Sequence, residues 1–359
     1  QKGRALAMLA MHNDAITAYD KAIAGKDDFT EAWLYRGISR ASLDQYDRAI
    51  QDYDHAVGLR PDFAPAHLFR GIALIHLSRH EQAVEAFNQA LAFEPEYPEA
   101  FFYKGLALLE QKLYAEAIPV FDHALAANNR YAEAWHNKGV ALARTGQHEE
   151  AIAAFNAALG IRSDYAEALF ERGRSLVHTS MFREAIASFD QVLVLSPGNA
   201  NAHFEKGRAL MALGKHADAT AAFDRAIDIN PSCWQALAGK GRAEAYQGNY
   251  DGAITALDHA LEIMPKKAIL HDQKGLAYAA LEQYRDAVQS YDRALEIEPL
   301  ARIFAHKGVA LAELGMYRDA IEAFDKAIEH DGDLAEAWMG KGNVQYDLGK
   351  YADAEKAYE

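Results

Sequence analysis

The sequence predicts an all-α protein, an α-α solenoid of about eleven helix–turn–helix repeats. Three observations lead there. A glycine preceded by Lys or Arg recurs at Gly3, Gly37, Gly71, Gly105, Gly139, Gly173, Gly207, Gly241, Gly275, Gly308 and Gly342, every step being 34 residues except one of 33. A fixed period of that size marks stacked copies of one small unit, not a chain wrapped around a single core. Within each period the apolar residues fall at helical spacing on two separate stretches, and Gly and Pro punctuate the ends of those stretches.

With the recurring glycine as position 8, positions 4, 8 and 11 form one face of a first helix. Position 4 is large, as in Trp33, Trp135 and Trp338. Glycine inside a helix costs about 1 kcal/mol relative to alanine, so its presence in every copy requires an offset. Close approach of a neighbouring aromatic supplies one. A short turn follows, often with Gly (Gly146, Gly214, Gly248, Gly315, Gly349). Positions 17, 20, 21, 24, 27 and 28 form one face of the second helix. Position 17 is Tyr, His or Phe, position 20 is always Ala, and position 24 is aromatic except at Leu257. Pro at position 32, as in Pro61, Pro95 and Pro197, ends the unit.

Repeats start at residues 30, 64, 98, 132, 166, 200, 234, 268 and 301, with partial repeats over 1–29 and 335–359. The expectation is one continuous repeat domain over 1–359, part of a longer chain because both ends fall inside a repeat. Uncapped repeat faces of that kind favour end-to-end self-association. Two irregularities are expected to bend the array locally: Pro119 inside a second helix, and the connector shortened near Pro299 to Ala301.

This pattern resembles the tetratricopeptide repeat family along the whole chain, most closely over Ala132 to Tyr165 and Ala335 to Glu359. The resemblance implies a right-handed superhelix of helix pairs with the first helices lining a concave face. It also implies a non-catalytic protein-binding scaffold. One departure stands out. Position 7, often apolar in the family, is Lys or Arg in all eleven copies, and position 25 is Asp in eight and Asn or Glu in three. These two series are expected to pair across the helix interface, the long basic stem packing on the way. A basic stripe for an anionic ligand is the alternative, and strict recurrence at scaffold positions favours pairing.

Composition narrows the function classes. A net charge of −15 argues against a nucleic-acid backbone as partner. No apolar run approaches a membrane span. The single Cys233 forms no intrachain disulfide, which fits a reducing, cytoplasmic setting. No paired nucleophile and base, zinc motif or phosphate loop occurs, and histidines such as His80, His148 and His216 fill the aromatic position 17. The expectation is therefore no enzyme activity, no cofactor and no metal within this chain.

Binding is expected at the variable first-helix positions, those at 2, 5, 6, 9, 12 and 13 that face the groove in the family. In repeats one to three, positions 5, 6 and 9 read Leu34, Tyr35, Ile38, then Leu68, Phe69, Ile72, then Phe102, Tyr103, Leu106. On a nominally exposed face this is an apolar groove for a partner helix or hydrophobic segment, unless the side chains pack between adjacent first helices. In repeats five to seven, position 9 becomes Arg174, Arg208 and Arg242, with Phe170 and Phe204 beside the first two. Such an Arg ladder suits carboxylates on an acidic peptide. Glu171 and Glu205 stand three residues before Arg174 and Arg208 and neutralise them locally, whereas Arg242 has Gly239 there and stays freer. Repeats eight to ten are more acidic, with Asp272, Glu313 and Asp347 beside Tyr346.

Two family binding modes find little support. The carboxylate clamp for chaperone tails needs Lys and Asn at set groove positions, and here position 5 is never Lys and Asn343 is the only Asn at position 9. The Asn ladder that grips a peptide backbone needs Asn repeated at position 6, and only Asn137 is present. The predicted partner is a protein or peptide held in the groove, with a self-assembling scaffold or a regulatory segment of a larger enzyme as alternatives.

Overall fold

The computed structural model describes all 359 residues and contains 22 α-helices and no strand. First helices begin at Thr30, Ala64, Pro98, Ala132, Ala166, Ala200, Trp234, Ala268, Ala301 and Ala335, where the period puts them. Contacts divide the chain into two compact units, Gln1–Ser180 and Met181–Glu359. Within each unit a second helix packs on its own first helix and on the first helix of the following repeat. No helix is long and apolar enough to cross a membrane.

The recurring glycine has a steric cause. A Cβ on Gly71 would lie 2.5 Å from the ring of Phe87, and one on Gly105 would lie 2.5 Å from the ring of Phe121. Each ring belongs to position 24 of the same repeat and is fully buried. The first helix gives up a side chain so that the aromatic can lie flat on its backbone, and the close contact offsets the helix-propensity cost. Ala at position 20 lets the second helix come equally close; Ala49, Ala83 and Ala117 are fully buried. Leu257, the one aliphatic at position 24, still reaches within 2.9 Å of a Cβ placed on Gly241.

The turn between the helices has one left-handed residue per repeat. Five of these are the glycines read from the sequence, such as Gly146 at φ +82°. The other six are Ala10, Asp44, Ser78, Lys112, Ser180 and Glu282, at φ between 57° and 60°. Position 4 then locks the connector. Trp33, Trp135 and Trp338 donate their indole N–H to the carbonyls of Asp27, Asn129 and Gly332 at 2.8–3.0 Å. His67, His203 and His271 make the equivalent contact through Nε2 to the carbonyls of Pro61, Pro197 and Pro265 at 2.9–3.3 Å. A carbonyl partner requires the proton on Nε2, so these rings act as small indoles.

The basic series at position 7 pairs with the acidic series at position 25, and it does so between neighbouring repeats. All eight aspartates are engaged: Asp20 with Arg36, Asp54 with Arg70, Asp122 with Lys138, Asp190 with Lys206, Asp224 with Lys240, Asp258 with Lys274, Asp292 with Lys307 and Asp325 with Lys341, at 2.5–2.7 Å. Where Asn156 replaces Asp, Arg172 donates to its side-chain oxygen at 3.1 Å. Each pair is partly exposed and modest by itself. Repeated at eight junctions, the pairs help fix how one helix pair docks on the next. They count against the basic-stripe alternative, because eight of the eleven charges are already met by aspartates.

The second helix carrying Pro119 runs unbroken from Tyr114 to Ala127. The shortened connector, Glu298 to Leu300, simply has fewer residues between Ile297 and Ala301, and Leu300 enters the next helix in an extended conformation (φ −94°, ψ 136°).

Candidate functional site on the first-helix face

In the first unit the apolar groove is shallower than the sequence implies. Leu34, Leu68 and Phe102 are only 4%, 4% and 7% exposed. Position 5 points into the core of its own repeat. Leu34 packs with Tyr53, Leu68 with Phe87, and Phe102 with Phe121 and Tyr131 at ring separations of 6.3 and 4.7 Å. Those three residues are structural and not part of an exposed face. Tyr35, Phe69 and Tyr103 at position 6 are half-buried and rest on the position-24 rings of the preceding repeat, Tyr19, Tyr53 and Phe87, at 6.2–6.3 Å. Ile38, Ile72 and Leu106 are half-buried beside them. What remains is a narrow row of ring edges and aliphatic tips.

Two polar groups interrupt that face. Asn137 donates its amide to the carbonyl of Glu133 at 2.8 Å. His136 takes the core position 5 between Phe155 and Tyr165, with Nδ1 buried and unpartnered. Burial pushes its pKa down to about 4, an effect that nearby Glu167 only partly opposes. The folded state therefore keeps this ring neutral at pH values where the unfolded chain binds a proton. Stability is lost as pH falls from about 6.5 to about 4, by about 2 kcal/mol after allowance for partial exposure. Replacing His136 by Leu, the residue at position 5 in two earlier repeats, should abolish that share. Denaturant midpoints of the two proteins, compared at neutral pH and near pH 4.5, should diverge by this amount; equal pH dependence would refute it.

The Arg series divides as its neighbours dictate. In the first unit, Arg174 is bound to Glu171 at 3.2 Å and lies on the same helix as the half-buried Phe170. In the second unit, Arg208 is held by Glu205 at 2.9 Å and lies over the ring of Phe204, which itself packs on Phe223 at 6.1 Å. Arg242 is exposed and has no ion-pair or hydrogen-bond partner. Exposed apolar groups at groove positions in this unit are Tyr246 (66%), Met339 (59%), Tyr346 (58%), Val309 (51%) and Leu276 (43%); in the first unit Met8, at position 13 of the first partial repeat, is 88% exposed. In the last four repeats position 5 is Ala or Asp in three of four cases, so the large side chains that fill the core there in earlier repeats are gone.

A polar cluster lies in the same repeats. Asp272 stands at the core position 5 and is 1% exposed. Its carboxylate accepts from His306 Nδ1 at 2.8 Å and lies 3.7 Å from Arg302 Nη2. A cavity of about 490 Å³ opens beside these three residues and Arg242, Tyr246 and Leu276. The sequence signal for this cluster was an Asp in a register that is otherwise apolar, aromatic or His, which the acidic drift of the later repeats masked.

Comparison with known proteins fits this architecture. Tetratricopeptide repeat models match residues 2–62, 36–94, 70–132, 105–166, 170–232, 204–268 and 306–359, and a second such model matches 269–299. No curated protein matches the chain significantly. Among solved structures, a tetratricopeptide repeat protein from Parabacteroides merdae is 19% identical with a TM-score of 0.53, over 69% of this chain and 98% of that one. At that identity the likeness is one of fold. YrrB, a TPR protein with an unusual peptide-binding site, is 24% identical with a TM-score of 0.48, over 52% of this chain and 95% of its own. Yeast Tom70 is 15% identical with a TM-score of 0.46, over 99% and 89%. With family matches spread along almost its whole length, the chain belongs to the tetratricopeptide repeat family.

Proposed function

We propose that this chain is a non-catalytic interaction scaffold that holds a peptide or partner helix on its first-helix face. One contrast carries the reading. The recurrent positions are closed by ring-on-glycine packing and by ion pairs between repeats, whereas the variable positions of the second unit keep an unpaired Arg242 and exposed Tyr246, Leu276 and Val309. Apolar surface rimmed by polar groups is what a partner covers.

The test is binding of peptides selected from a random displayed library. Tyr246→Glu with Leu276→Glu should weaken the selected peptides about a hundredfold, as loss of two anchors requires. Val194→Glu, on a second helix and 81% exposed, should leave them unchanged. Equal binding by the groove double variant and the wild type would sink the proposal.

A further inference from the structure

The second unit contains a notch that the repeat pattern does not call for. At positions 5 and 6 of the repeat that starts at residue 234 stand Ala238 and Gly239, where the preceding repeat has Phe204 and Glu205 and the following one Asp272 and Gln273. The two missing side chains leave a cavity of about 190 Å³ bounded by Phe204, Trp234 and Arg242. Its floor is the Phe223 ring, so close to the first helix that a Cβ on Gly239 would lie 2.7 Å away. Arg242, Ile269 and Gln273 line both this notch and the larger cavity beside Asp272, which joins the two into one trough.

Three things in the trough lack a partner. The Arg242 guanidinium has no anion. The side-chain oxygen of Gln273 is buried with no donor. The notch over Gly239 is apolar and empty of side chains from the protein. Asp272 does not supply the missing anion, because His306 and Arg302 already meet its carboxylate. A buried acceptor without a donor is costly and calls for an N–H.

Resting on the scaffold reading above, we propose that this trough is a subsite for a carboxylate-bearing peptide segment. The carboxylate lies on Arg242, a backbone N–H donates to Gln273 Oε1, and a neighbouring large apolar side chain fills the notch over Gly239. An Arg fork suits a carboxylate better than a point charge does. The backbone donor makes the site one for a peptide and not for a free organic anion.

Random-peptide selection against the whole chain decides it, with one library displayed internally and another ending in a free C-terminus. Selected peptides should carry Asp, Glu or the terminal carboxylate next to an aromatic or large aliphatic residue. The library that yields binders tells an acidic side chain from a chain end. Arg242→Ala should weaken these peptides about tenfold or more, with partial recovery in Arg242→Lys. Ala238→Phe should block them without loss of fold, since Phe204 holds the same position one repeat earlier. Peptides that lack a carboxylate, or that bind Arg242→Ala and Ala238→Phe as tightly as the wild type, overturn the subsite and leave the scaffold reading intact. Failure to select any peptide overturns both.

Discussion

Asp52→Ala should destabilise the first unit by about 3 kcal/mol and melt it from one place. Asp52 is 1% exposed and lies on the second helix Tyr46–Leu59. It accepts from Arg36 Nη2 at 2.6 Å and Nε at 3.2 Å, and from Arg40 Nη1 at 2.8 Å. Arg36 also reaches Asp20 of the preceding repeat at 2.6 Å, so one guanidinium ties three helices together. Burial alone would lower the Arg36 pKa, but the hydrogen bonds it donates to Asp52 and then to Asp20 raise it above its ordinary value. Alanine removes the shared anion and leaves two guanidinium groups side by side, each with little access to water. Loss of one member of a buried charge set costs about 3–5 kcal/mol, and the lower end applies because Arg36 keeps Asp20. A repeat array transmits such damage mainly to its nearest neighbours. Hydrogen exchange should therefore show protection lost in Thr30–Ala41 and Tyr46–Leu59 first. A denaturant shift below about 0.5 kcal/mol, or a uniform loss along the unit, would show that the cluster does not hold these helices.

The scaffold was legible in the sequence because it repeats. Gly71 recurs for the same reason as Gly105: each lies under a position-24 ring, and a steric demand repeated along the array shows itself in a single chain. The charge series was legible for the same reason, although only the structure shows that Arg70 meets Asp54 of the repeat before it and not its own. The candidate site was harder to read, because it lies in departures from the repeat. Leu34, Leu68 and Phe102 look exposed if position 5 is assigned to the groove; the Cβ direction at that position instead sends them onto the rings of Tyr53, Phe87 and Phe121. Conversely, Ala238 and Gly239 read as unremarkable small residues, and their effect is a void, which no one-dimensional pattern records. The free state of Arg242 was readable, because local charge neighbours at helical spacing decided it: Glu205 takes Arg208, and Gly239 takes nothing.

Phe87→Ala should cost about 3–5 kcal/mol, as large a loss as any single truncation in the first unit. The Phe87 ring is fully buried among Leu68, Leu74, Ala83, Ala86, Ala90, Ala100 and Ala107, which come from three helices. None of these alanines can swing in to fill the space, and Gly71 has no side chain to offer, so the cavity cannot collapse. The ring also supports Tyr103 of the next repeat at 6.3 Å, which makes core packing and groove shape one property. Truncation should therefore lower protection in Ala64–His76 and in Pro98–Glu110 together, and should loosen the Tyr103 ring on the groove side. Phe87→Leu should cost only about 1–1.5 kcal/mol, since Leu257 fills the same position over Gly241 elsewhere in the chain. Gly71→Ala provides the reciprocal test. Helix propensity alone favours alanine by about 1 kcal/mol, but its Cβ would enter the Phe87 ring, and overpacking costs about 1–3 kcal/mol. The net sign should be destabilising. In the double variant Gly71→Ala with Phe87→Leu the two costs should partly cancel, because the smaller side chain makes room for the new methyl group. If Gly71→Ala instead raises the denaturant midpoint, the aromatic-on-glycine contact is not what maintains glycine there.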